Sequence, residues 1–200
     1  MFDNKVLADT TVICSGGEEI SAHIIILYGC SAYFQASFRS NMQESEKRRI
    51  YLGNTSTEPW FNNDVTAINS MLEFMYRDKY TEESEADQVE KSILFQIDLA
   101  IAADFYGVGG LYDYALKRFV KMLQDWDLLE PEFPHVVTAI YSKPDNIVEP
   151  FKAEMIKIVA ANYKKLRDDQ IFQSYMKKLD DFTLDLLNNI SSEVLVERGP

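Results

Sequence analysis

The chain has 200 residues, 46% of them hydrophobic and 12% aromatic, with only 8 Gly and 6 Pro; this composition can bury a core and excludes a disordered chain. A formal charge of -12 and a sequence pI near 4.6 repel polyphosphate and argue against direct nucleic-acid binding, and the short Lys47-Arg48-Arg49 run reads as a solvated loop. Cys14 and Cys30 are too few for a disulfide framework and lack C-x-x-C spacing, so they read as buried thiols of a reducing compartment, cytoplasmic or nuclear. The N-terminus lacks the pattern of a signal peptide, and the longest aliphatic run, Ile24 to Leu27, is far short of a membrane span.

In chain order, Thr10 to Cys14 is β-branched and apolar, Ser15-Gly16-Gly17 has turn chemistry, and Glu19 to His23 resumes with rough alternation; the pattern predicts a β-hairpin. Ile24 to Leu27 with Tyr28 is a compact apolar segment whose type stays open. Ser31 is a good N-cap for a helix burying Tyr33, Phe34 and Phe38. Arg49 to Leu52 reads as a third strand stopped by Gly53, and Asn54 to Asn63, containing Pro59, as a loop. Asp64 can cap a helix that places Val65, Ile68, Leu72 and Met75 on one face and closes at Tyr76 to Tyr80.

After an acidic loop from Thr81 to Glu90, a helix is expected to bury Leu94, Ile97, Ile101 and Phe105. Gly107 and Gly109-Gly110 end it. The next, Leu111 to Leu123, carries Leu111, Tyr114, Ala115, Phe119 and Leu123 inward, and the two are expected to form an antiparallel hairpin. From Pro131 onward there is no strand signal. Helices are expected over Phe133 to Tyr141, around Phe151, Met155, Ile158, Val159 and Tyr163, around Ile171, Phe172, Tyr175, Met176 and Leu179, and around Phe182, Leu186, Leu187, Ile190 and Val194. No fixed-period repeat and no Pro- or Ser-rich linker interrupts this order.

Catalytic chemistry needs a constellation, and the sequence places none. His23 and His135 lie over a hundred residues apart, without zinc-ligand spacing. Gly107, Gly109 and Gly110 follow a helix, whereas a dinucleotide loop follows a strand. Glu82-Glu83-Ser84-Glu85 has no apolar neighbours to raise a carboxylate pKa. Cys30 beside Ser31 could be a nucleophile at a helix start, but no base is placed with it, and buried packing is the preferred reading. No cofactor, metal or catalytic residue is expected.

The order of hairpin, two short helices, strand, helix and helical pair resembles the BTB/POZ fold, and local motifs carry the resemblance. Asp9-Thr10-Thr11-Val12 looks like the family's opening Asp-x-x-Val strand, and Ile20 to His23 followed by Leu27 like its hydrophobic-x-x-His…Leu segment. Ser31-Ala32-Tyr33-Phe34 with Phe38 matches Ser-x-Tyr-Phe…Phe, Met42-Gln43-Glu44-Ser45 fits Met-x-Glu-Ser, and Ile50 to Leu52 fits the third strand. Met75-Tyr76…Tyr80 and Ala102 to Val108, which includes Asp104 and Tyr106, resemble later signatures. Ala139-Ile140-Tyr141 and Phe172…Phe182…Leu186-Leu187 look like the helical tail of filamentous-fungal BTB proteins. A relative of the ligase component that bridges cullins to F-box proteins is an architectural rival, but the Ser-Ala-Tyr-Phe segment and the hairpin with His23 fit BTB better.

The resemblance implies an α+β protein: residues 1–8 as a tail, 9–124 as a BTB/POZ domain with a small sheet and surrounding helices, and 125–200 as an all-helical extension. It implies a protein-interaction module, often a homodimer, that serves as substrate adaptor or scaffold for a cullin-type ubiquitin ligase. The alternative is a homodimerising, transcription-associated protein without cullin binding. Met42, Gln43, Glu44 and Ser45 are the residues the resemblance offers to a cullin; Met42 could equally pack the end of its own helix, with Glu44 solvated. Asp9, His23, Ser31, Tyr33, Phe34, Phe38, Asp104 and Tyr106 are structural signatures. Two departures stand out. Ile24 occupies a position usually Lys or Arg, which halves the charged pocket of transcriptional BTB dimers and argues against co-repressor recruitment. Only eight residues precede Asp9, short for an extra N-terminal strand that swaps between protomers.

Overall fold

A computed structural model describes residues 5–39, 48–52, 65–81 and 89–196. The described backbone falls into two compact units, Met1–Glu83 with Asp98–Ala115 and Ser84–Ile97 with Leu116–Pro200.

The first unit begins with the predicted hairpin, β1 (Thr10–Cys14) and β2 (Glu19–Ala22), paired antiparallel with Val12 opposite Ile20. Gly17 closes the turn at φ +83°, a left-handed geometry that costs glycine little. Its N–H donates to the Cys14 carbonyl, and the Cys14 N–H to that of Glu18. Strand β3 (Arg49–Leu52) adds to the other edge of β1 in parallel, Val12 opposite Ile50, giving the order β2-β1-β3. As the central strand, β1 is buried at Thr10, Val12, Ile13 and Cys14, which is why its β-branched run has no polar alternation.

The ambiguous segment after His23 is helical: α1 (Ile24–Cys30), followed by α2 (Ala32–Arg39). The α1 helix packs on α2 and on α3 (Val65–Arg77). In α3, Ile68, Leu72 and Met75 of the expected stripe are buried, while Val65 at its start is only half-buried; every residue from Ser70 to Met75 is buried, so this stretch is core on all sides, wider than the stripe. Two further helices, α4 (Val89–Tyr106) and α5 (Leu111–Asp125), contain the boundary between the units. Leu111, Ala115, Phe119 and Leu123 are buried as expected, while Tyr114 is half-buried against Phe74 and Tyr80. In α4, Ile97 and Ile101 are buried, but Leu94 is half-buried and Phe105 is 41% exposed; Ile93, Ala102 and Tyr106 are inside instead. Cys14 is buried as expected, whereas Cys30 is half-exposed and ends α1 instead of opening a helix. The helix that Ser31 caps fully buries only Phe34; Tyr33 and Phe38 remain half-buried. The expected cap at Asp64 lies outside the described residues.

Beyond α5 the second unit is helical among the described residues: α6 (Phe133–Tyr141), α7 (Asp145–Leu166), α8 (Gln170–Met176) and α9 (Asp180–Val196). Local chemistry sets the breaks. Pro144 stands as N-cap of α7, and the Asp169 carboxylate caps α8 by accepting the N–H groups of Ile171 and Phe172 at 2.7 and 3.1 Å. The core centres on Phe133, whose ring meets Trp126, Tyr175 and Phe182, and on the edge-to-face pair of Phe119 and Phe151. Tyr141 donates its hydroxyl proton to Asp185 at 2.6 Å, tying α6 to α9.

Candidate functional site

Two clusters gather the signature residues other than Phe38. The first is the corner where β1 and β2 meet α1. His23 is the N-cap of α1 but makes no side-chain cap. Asp9 supplies the missing acceptor from just before β1: its Oδ1 takes the Ile24 N–H at 2.7 Å, satisfying a donor that the helix start leaves orphaned. The His23 side chain is tied at both ring nitrogens. Its backbone N–H donates to the Tyr76 hydroxyl at 2.8 Å, Nδ1 lies 2.9 Å from the same oxygen, and Nε2 lies 3.2 Å from the Val6 carbonyl. The bonds are mutually consistent in one tautomer: Nε2–H donates to Val6, and Nδ1 accepts from the Tyr76 hydroxyl, which also accepts the His23 N–H. Burial raises the Tyr76 phenol above its usual pKa.

Around this corner apolar side chains face water: Val6 is 67% exposed, Leu7 86% and Ile25 75%. Leu7 also sits at φ +63°, a region uncommon for residues other than glycine. Ile24, where a base was expected from the resemblance, is half-buried.

The second cluster knots the start of α2 to the end of α4. The buried Ser31 hydroxyl accepts the Phe34 N–H at 3.2 Å, confirming the N-cap, and donates to the Tyr106 carbonyl at 2.6 Å. Backbone bonds and a single bridge between Ser31 and Val108 add to it. The Phe34 ring stacks on Tyr106, and Tyr33 meets both edge-on. Gly107 at φ +59° permits the approach. The Gly107 N–H bonds to Asp104, the Val108 N–H to Ala103, and a Cβ on Gly107 would come within 3.0 Å of the Ala32 Cβ. This pattern of bonds is a Schellman ending. Asp104 itself is exposed.

Met42, Gln43, Glu44 and Ser45 lie outside the described residues. The preceding helix ends at Arg39, whose Nε donates to the Tyr28 hydroxyl at 2.7 Å while its guanidinium lies 5.4 Å over the Tyr28 ring. Cys30 is a poor nucleophile candidate here. Burial and nearby Asp78 raise its thiol pKa, and its Sγ–H points to the Met75 carbonyl. Among the described residues no group of three His, Cys, Asp or Glu side chains is placed to hold a metal ion, and no helix is long and apolar enough to cross a membrane.

A family model described as BTB/POZ domain matches residues 1–108. The chain belongs to the BTB/POZ domain family. Its sheet of three strands with surrounding helices and its helical C-terminal part accord with an α+β BTB/POZ fold and a helical extension. Among curated proteins, the BTB/POZ chain is 29% identical to Kelch-like protein 24 of Homo sapiens and of Mus musculus over 99 residues, which is 48% of this chain and 15% of theirs. To Kelch-like protein 40 of Xenopus tropicalis it is 25% identical over 123 residues, 62% of this chain and 17% of the relative. The matched segment thus spans less than a fifth of these relatives. Within the BTB/POZ domain, the sequence motifs mark the Asp9 and Ser31 clusters, but the role of Tyr76 in orienting His23 and the exposed apolar corner had no local signal.

Proposed function

We propose that this BTB/POZ protein is an adaptor or scaffold that links a partner protein to a cullin-type ubiquitin ligase, and that it acts as a homodimer in the cytoplasm or nucleus without catalysing a reaction itself. The reading assigns the interaction module to residues 9–124 and the helical extension to 125–200. The observation that supports it most is the apolar corner of Val6, Leu7 and Ile25. Each large aliphatic side chain left in water forgoes about 1.5–3 kcal/mol that burial would supply, and Asp9 and His23 hold the corner in one geometry without covering it. Exposed apolar side chains clustered on a rigid frame suit a protein partner, and a second copy is the partner that the family offers.

The cullin contact rests on Met42-Gln43-Glu44, a hydrophobic-x-Glu pattern in which the methionine fills an apolar groove and the glutamate pairs at the rim. Calorimetric titration of the chain against a cullin N-terminal domain tests it, with Met42→Asp and Glu44→Lys alongside. Low-micromolar binding lost in both variants is expected, since truncating a hot spot costs about 2 kcal/mol or more. Absence of binding at ~100 μM, about -5.5 kcal/mol, would reject the cullin role. Sedimentation of the wild-type chain and Ile25→Asp tests the dimer separately.

A further inference from the structure

The apolar corner includes a turn that its own sequence disfavours. Lys5, Val6, Leu7 and Ala8 form it, closed by the Ala8 N–H donating to the Lys5 carbonyl at 3.3 Å. Leu7 stands third in the turn at φ +63°, a place where glycine or asparagine is usual because a Cβ crowds the backbone there. Local preference alone would flip the Val6–Leu7 peptide and return Leu7 to negative φ. The Leu7 side chain is 86% exposed, so packing of that side chain does not hold the conformation.

The carbonyl of the same peptide identifies what does. The Val6 oxygen lies 3.2 Å from His23 Nε2, and the peptide cannot flip without losing that donor. Of the two neutral tautomers of His23, only one carries the proton on Nε2; in the other, a lone pair would face the Val6 oxygen. Tyr76 selects the first. Its hydroxyl accepts the His23 N–H at 2.8 Å and gives its own proton to Nδ1 at 2.9 Å. A tyrosine of α3 therefore acts through one imidazole ring on the backbone of the turn.

We propose that His23 is a positioning residue for self-association: by holding the Val6 carbonyl it keeps Leu7 left-handed, and so presents Val6 and Leu7, with Ile25, as one preformed contact surface for a second copy. This rests on the homodimer reading of the corner and adds to it what sets the shape of the surface. Strained backbone persists only where its surroundings over-determine it. Here the strain falls on residues that bury little in their own chain, Val6 at 67% and Leu7 at 86% exposed, so it serves presentation and not the monomer's core. A surface held ready before contact loses less conformational freedom on binding.

Two substitutions separate the two ring nitrogens. His23→Gln places an amide N–H near the Nε2 position, whereas His23→Asn keeps an acceptor near Nδ1 for Tyr76 and has nothing that reaches Val6. In an Ile25→Asp background, monomeric on the homodimer reading, trypsin cleavage after the exposed Lys5 reads the turn alone. His23→Asn should speed that cleavage about fivefold, the ratio that one hydrogen bond sets, with the thermal midpoint close to its parent's. His23→Gln should leave the rate near the parent's. With Ile25 restored, sedimentation velocity should show a dimer that His23→Asn weakens about fivefold or more and that His23→Gln largely retains. Cleavage unchanged by His23→Asn overturns the proposal, because the turn then holds without the ring. Faster cleavage with an undiminished dimer also overturns it, while sustaining the homodimer reading. Equal loss of dimer in both variants does the same, since it marks simple packing of the ring. A wild-type chain monomeric at ~100 μM, or a dimer that Ile25→Asp leaves intact, removes the homodimer reading of the corner and the proposal with it, whatever the cleavage rates.

Discussion

The Ser31 hydroxyl donates to the Tyr106 carbonyl at 2.6 Å across 75 residues of chain, while the same oxygen caps α2 through the Phe34 N–H. One buried side chain therefore serves two backbone groups that water cannot reach. Ser31→Ala leaves both without it. Urea unfolding of Ser31→Ala should show a loss of about 1–3 kcal/mol, the range for a lost N-cap together with a buried acceptor deprived of its donor. A loss below ~0.5 kcal/mol would mean that the Tyr106 carbonyl finds another donor.

Gly107 and Gly110 both hold positive φ, +59° and +78°, but their surroundings differ. A Cβ on Gly107 would press within 3.0 Å of the Ala32 Cβ, whereas one on Gly110 would have the Phe74 ring edge at 4.0 Å, ordinary contact. Gly110→Ala should cost about 1 kcal/mol from the backbone alone. Gly107→Ala should cost measurably more, because the start of α2 must also give way. Equal midpoint shifts in parallel denaturation curves would remove the packing argument.

Asp9 acts on α1 as an acceptor for the Ile24 N–H at 2.7 Å. An asparagine keeps an acceptor at that position and an alanine does not. Asp9→Ala should therefore lose about 1 kcal/mol and Asp9→Asn appreciably less, read as thermal midpoints. Should the two variants be equally destabilised, the carboxylate charge and not its acceptor oxygen would be the operative feature.

Burial, with nearby Glu18, pushes the Cys14 thiol up to about 11 from 9.0, and burial with Asp78 raises Cys30 as well. Because the thiolate is the reactive form, both should label slowly with iodoacetamide near neutral pH. Cys30, half-exposed, should react first, and Cys14 only on unfolding. The sign for stability follows from proton counting. Between about pH 9 and about 11 the folded chain retains a proton on Cys14 that the unfolded chain releases, so stability falls as pH rises through that window. A Cys14→Ala chain should show a shallower decline there; an unchanged slope would assign the alkaline loss to other groups.

The order of strands and helices was legible because it rests on neighbours in sequence: Gly17 in a turn, Asp9-Thr10-Thr11-Val12 entering a strand, Ser31 capping a helix, Gly107 ending one. The C-terminal helices were equally legible, with Phe133–Tyr141 bounded by the same residues in sequence and structure. Periodicity was weaker at deciding faces. In α4 it points Phe105 inward, yet Tyr106 is the buried one and Phe105 is 41% exposed. The reason is tertiary: Tyr106 stacks on Phe34, and no helical wheel of α4 contains Phe34.

The same division holds for the functional reading. By itself the sequence determined the family, through several short motifs in the right order, and the helical nature of the C-terminal part, because each of these depends on contacts a few residues apart. Only the tertiary structure decided that Asp9 caps a helix opening at Ile24, that Tyr76 orients His23 from 53 residues away, and that Val6, Leu7 and Ile25 are left in water around them. Which apolar side chains a fold leaves uncovered depends on where every other element packs, a property of the whole chain that no local window contains.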